Sequence, residues 1–149
     1  MAGVAKGFVM CSVKVSDLQG VALDWAVAKA EGLPVRRDPM GFGSGSESGF
    51  WLWEATGHKL GRYGLIGREY SPSTKWEQGG PIVDELRDLS QYQFLIEGDG
   101  ESTHVLSWPK EHVFYSGRGA TTLIAIMRCF VASKMGDFIE VPASLSNSG

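Results

Sequence analysis

Two stretches of helical apolar spacing, one near each end, enclose a middle that lacks such spacing, and this arrangement narrows the possible folds most. Leu18, Val21, Ala22, Trp25 and Ala28 recur at intervals of three and four, which puts them on one helix face. Ser16 with Gln19 three residues on fits a capping box, and Gly32 supplies a C-terminal stop. The spacing predicts a helix over residues 18–31, and Leu23 and Val27, off the main stripe, predict cover on more than one side. The second stripe is Leu123, Ile124, Met127, Phe130 and Val131, entered through Gly117-Arg118-Gly119 and Thr121-Thr122 and closed by Lys134 and Gly136.

The enclosed middle reads as strands. Residues 92–96 and 103–108 flank Glu97-Gly98-Asp99-Gly100-Glu101, a hairpin pattern with a polar turn. Residues 50–54, 65–66, 112–115 and 138–141 are further short strands. Residues 41–49 form a glycine-serine loop, and residues 143–149 a small, polar, flexible tail. The expected class is α+β: a small antiparallel sheet packed with two main helices and long Gly/Ser/aromatic loops.

Composition matters for what it excludes. With 43% hydrophobic and 11% aromatic residues in 149, the chain is one that folds rather than stays disordered. Two cysteines, Cys11 and Cys129, are too few for a disulfide framework or a zinc site. A formal net charge of −3 weighs against duplex nucleic acid as a partner. No apolar run reaches membrane-spanning length, so no membrane partner is expected.

Catalytic patterns are missing. His58, His104 and His112 form no helical pair, no nucleophile elbow exists, and the 41–49 loop lacks both the third glycine and the lysine of phosphate cradles. No metal, cofactor or catalytic residue is assigned. Asp24, His112 and Glu77 are the candidate bases for an enzyme. The main anomaly is residues 33–80, where seven of the sixteen aromatics fall in a stretch of near-neutral charge. Arginines beside aromatic faces suit a nucleotide-like ligand or a protein surface, with Arg37, Trp51 and Trp76 as the candidates. Residues 70–81, Tyr-Ser-Pro-Ser-Thr-Lys-Trp-Glu-Gln-Gly-Gly-Pro, read as a loop rich in hydroxyls that need partners.

With residues 15–32 and 123–137, this segment is similar to the NinX-like family of small phage and prophage proteins, a domain of unknown function. The resemblance runs from about Val13 to Pro142, with Lys75 where the family often has an acid and Gly119-Ala120-Thr121-Thr122 where it has a proline-bearing entry. Length predicts one domain, and the resemblance places it over residues 13–142, leaves residues 1–12 as a flexible extension, and implies a phage or prophage origin and a place in the host cytoplasm. It implies no reaction.

The function expected is a non-catalytic binding module of phage origin. It would sequester a nucleotide-like small molecule or bind a host protein, with a metabolite-processing enzyme as the alternative and a homo-oligomer as one possible state. The site is expected where the 70–81 segment meets the first helix at Asp24 and Trp25, beside Arg128 on the second. Tyr70, Ser71, Ser73, Thr74 and Gln78 would line it, with Trp76 as its apolar wall.

Overall fold

The computed structural model describes residues 9–37, 49–52 and 64–146. Their order is β1 (Met10–Lys14), a 3-10 turn (Val15–Asp17), α1 (Gly20–Ala30), β2 (Val35–Arg37), β3 (Phe50–Leu52) and β4 (Gly64–Leu65). Then follow α2 (Trp76–Leu89), β5 (Gln93–Gly98), β6 (Thr103–Lys110), β7 (Val113–Gly119), α3 (Thr122–Met135), β8 (Phe138–Pro142) and α4 (Ala143–Ser146). Among the described residues this is an α+β fold of four helices and three small antiparallel sheets, β1-β8, β2-β3-β4 and β5-β6-β7.

α3 is the hub. The Thr121 hydroxyl accepts the Ile124 N–H at 3.2 Å and caps its start, and Gly136 at φ +94° ends it. Leu123, Ala125, Ile126, Met127, Cys129, Phe130 and Val131 are all buried, a belt too wide for one stripe. The reason is that α1 packs on one side while β6 and β7 pack on another. α1 shows the same all-round cover, buried at every position from Ala22 to Ala28.

Close approach of β7 to α3 explains two glycines. A Cβ on Gly117 would collide with the Ala125 carbonyl oxygen and lie 2.5 Å from the Cys129 nitrogen; one on Gly119 would lie 2.6 Å from Ile124 Cγ2. Gly117-Arg118-Gly119 is therefore the end of a strand pressed against a helix, not a turn leading into it.

Three further expectations are corrected. α1 begins at Gly20, not Leu18: Ser16 lies in the 3-10 turn, Gln19 is the N-cap, and no side chain caps it. The chain is extended at Leu18, whose side chain is buried, so the first stripe residue precedes the helix. Second, residues 76–81 are not loop but the first half of α2, which buries Gly79, Ile82 and Leu86. Gly79 is there because a Cβ would meet Leu123 Cδ2 at 2.6 Å and the Pro72 carbonyl oxygen at 2.7 Å. Pro81 removes the donor for the Glu77 carbonyl and crowds it, at a place where both residues are exposed to solvent. Third, β1 starts at Met10, inside the stretch read as an extension, and pairs with β8 from Met10↔Pro142 to Lys14↔Phe138. α4 likewise occupies residues 143–146, within the stretch read as tail. The glycine-serine loop at 41–48 lies outside the described residues, as do Trp53, His58 and Tyr63.

Candidate functional site: a laced turn on a buried aspartate

Asp24 is 2% exposed in the middle of α1, and a carboxylate there needs partners. It finds them in the turn before α2. Asp24 Oδ2 accepts the Ser71 hydroxyl at 3.0 Å and Oδ1 accepts the Ser73 backbone N–H at 2.9 Å. Burial pushes the Asp24 carboxyl above its ordinary range, and the Ser73 and Ser71 bonds, with the charge of Lys75, pull back.

Most of the remaining polar groups of the turn satisfy one another. The Ser71 and Thr74 hydroxyls pair at 2.8 Å, and the Thr74 and Lys75 N–H groups donate to the Ser71 carbonyl at 3.1 and 2.9 Å. Gln78 reaches back from the first turn of α2: its Oε1 accepts the Ser71 N–H, and its Nε2 donates to the Glu69 carbonyl, each at 2.5 Å. Lys75 Nζ donates to the Arg68 carbonyl at 2.7 Å. Residues 68–78 are thus laced to themselves and to α1. Trp76, at the first position of α2, sits on this rigid base and is 58% exposed.

Asp24, Ser71, Ser73, Thr74 and Gln78 are therefore brought together as the sequence led us to expect, with their polar atoms turned onto one another. Tyr70 and Trp25 are adjacent in sequence to this cluster and largely buried. Among the described residues the Tyr70 hydroxyl and Trp25 Nε1 are buried without a hydrogen-bond partner. Arg128 joins other elements: Nε donates to the Leu18 carbonyl at 2.8 Å and a terminal nitrogen to the Arg118 carbonyl at 2.7 Å. It ties the α1 entry and β7 to α3. Arg37 and Trp51 belong to the β2-β3-β4 sheet, opposite Phe50 and Arg36 respectively, so strand alternation sends their side chains to opposite faces rather than into one cavity.

A second titratable group lies beside the turn, and sequence reasoning missed it. Glu31 caps the C-terminus of α1. Burial first, then a hydrogen bond with and repulsion from Glu85, push its carboxyl up to about 7, while Lys134 opposes. Lys134 Nζ is 3.5 Å from Glu85. Burial also raises the Tyr70 hydroxyl, helped by the charges of Glu31 and Asp24. No sequence signal joins Glu31 to Glu85, because Glu85 lies on the helix that the Gly-Gly-Pro run concealed.

Among the described residues, no three His, Cys, Asp or Glu side chains converge as metal ligands. Cys129 is buried, and burial pushes its thiol up to about 12, so it is no thiolate nucleophile. No helix among them is long and apolar enough to cross a membrane.

The family model described as "Bacteriophage P22, NinX" matches residues 14–134, a span that contains α1, the laced turn, α2 and nearly all of α3. The chain belongs to the bacteriophage P22 NinX family. Membership in the NinX family makes it a phage accessory protein. No curated relative matches the chain.

Proposed function

We propose that this NinX-family chain is a non-catalytic binding module that acts in the host cytoplasm by docking a host protein, with Trp76 as the anchor. The observation that supports this reading is the contrast at the start of α2. The Ser71 and Thr74 hydroxyls and the Gln78 amide all have partners within the protein, yet the turn holds a tryptophan out in water. Polar groups already engaged with one another are poor recognition elements for a nucleotide. An exposed tryptophan on a rigid base loses little entropy on contact and is typical of interface anchors.

The test is capture of a host protein by the immobilised full chain, followed by binding measured with that purified protein. Trp76→Ala should weaken binding at least tenfold, whereas Phe114→Ala, also exposed but on another element, should not. Equal binding by both variants overturns the reading. The nucleotide-like alternative is checked by a thermal-shift panel of nucleotides and cyclic nucleotides, where a clear stabilisation would favour sequestration instead.

Two observations together favour an enzyme as the second reading. Glu31, at about 7, is in the range of a general acid or base, and the buried Tyr70 hydroxyl is unpartnered among the described residues. A metabolite turned over by the wild type but not by Glu31→Gln would support it.

A further inference from the structure

The β5-β6-β7 sheet has two edges, and they are treated differently. On β7 the Arg118 carbonyl is taken by Arg128, and α3 packs along the strand. Among the described residues β5, Gln93-Phe94-Leu95-Ile96-Glu97-Gly98, pairs only with β6. It carries no lysine or proline, two of the usual devices that keep an edge strand from pairing, and its register with β6 runs unbroken from Gln93 to Gly98. Ile96 on this edge is 45% exposed.

Which main-chain groups are available follows from the hairpin. The Asp99 N–H donates to the Ser102 carbonyl at 3.1 Å. Counting back by twos, Glu97, Leu95 and Gln93 direct their groups toward β6, and Gly98, Ile96 and Phe94 direct theirs outward. A partner strand must therefore bond to Phe94 and Ile96.

We infer that this edge pairs antiparallel with β5 of a second copy of the chain, about a two-fold axis through Leu95. The strand is self-complementary about that residue. Leu95 meets Leu95 of the other copy, Phe94 meets Ile96, and Gln93 meets Glu97. The outward-facing groups of Phe94 and Ile96 bond reciprocally, as the parity requires. The strand's sole charge meets an amide that donates to it, and no like charges oppose each other. Sliding the register by two in one direction sets Leu95 against Glu97, and in the other against Gln93, so the alternatives lose the apolar match. The result is a six-stranded sheet in which Ile96 is covered by Phe94 of the second copy. A six-residue edge is a small interface, so the dimer belongs to the transient class.

Sedimentation velocity of the full chain over about 5–500 µM tests this. The wild type should move from monomer toward dimer mass as concentration rises. Gln93→Glu places a second carboxylate opposite Glu97, twice per dimer, and should raise the dimer Kd roughly 2- to 30-fold. Adding Glu97→Gln restores a carboxylate–amide pair with the two roles exchanged, and should return the Kd to within about twofold of wild type. Both positions are exposed, and unchanged circular dichroism verifies the fold. Monomer mass throughout overturns the inference. So does a dimer whose Kd ignores Gln93→Glu, since it then forms elsewhere. The outcome does not bear on Trp76, which lies on α2.

Discussion

The Asp24 carboxylate and the Ser73 backbone N–H, 49 residues apart in sequence, meet at 2.9 Å inside the protein. Through this bond and the Ser71 hydroxyl, one side chain in the middle of α1 fixes where α2 begins. Asp24→Ala leaves the Ser73 N–H buried and unsatisfied and the Ser71 hydroxyl with Thr74 alone, and should cost about 2–3 kcal/mol in urea unfolding. Asp24→Asn keeps an acceptor for Ser73 and should cost about half as much.

Two glycines should respond oppositely to alanine. At Gly117 the new Cβ meets the α3 backbone, which cannot give way, so Gly117→Ala should lose about 3 kcal/mol or more. At Gly80, inside α2, a Cβ meets nothing within 4 Å. Gly80→Ala should gain up to about 1 kcal/mol from helix propensity. Thermal denaturation of both variants checks the pair, and a destabilised Gly80→Ala would contradict the packing described for α2.

Glu31 sets a pH dependence of definite sign. Its folded-state carboxyl lies near 7, above the unfolded value of 4.5, so the folded state holds more protons between them. Its contribution is present below about 4.5 and lost as pH rises to about 7. Because the group is half exposed, water and salt screen it, and the loss should be on the order of 1 kcal/mol. Glu31→Gln should flatten stability across that window. An unchanged slope would mean that Glu31 and Glu85 do not share a proton.

Trp76→Ala should leave stability within about 0.5 kcal/mol of wild type, because the exposed ring covers little of the core. Gln78→Ala, by contrast, removes two bonds of the laced turn and should cost about 1–2 kcal/mol. Chemical unfolding side by side separates presentation from support.

Much of the fold was legible because its signals are local. The α3 stripe, its threonine cap and its glycine stop sit within residues 121–136, and the β5-β6 hairpin announces itself by two alternating runs around a glycine turn. α2 was not legible, because Gly79-Gly80-Pro81 is turn chemistry by propensity. The helix survives since Gly79 packs under Pro72 and Leu123, a reason held in other elements. Gly117 was misread for the same cause: its role depends on Ala125 and Cys129 of α3. At the site, the meeting of Asp24 with residues 71–73 followed from asking which buried polar groups needed partners. The Glu31–Glu85 pair had no such trace, since acids on two helices are ordinary.

The β1–β8 ladder carries a consequence for how the protein is made. Met10–Lys14 leaves the ribosome well before Phe138–Pro142, the strand that completes its hydrogen bonds. At about 5–20 residues per second, the first strand waits on the order of ten seconds before its partner exists. The ladder therefore closes only after every element between its two strands has been made, and it joins the two ends of the described chain. Shortening either end back through this ladder orphans the other, so deletions at opposite termini should resemble one another more than either resembles a change in the middle.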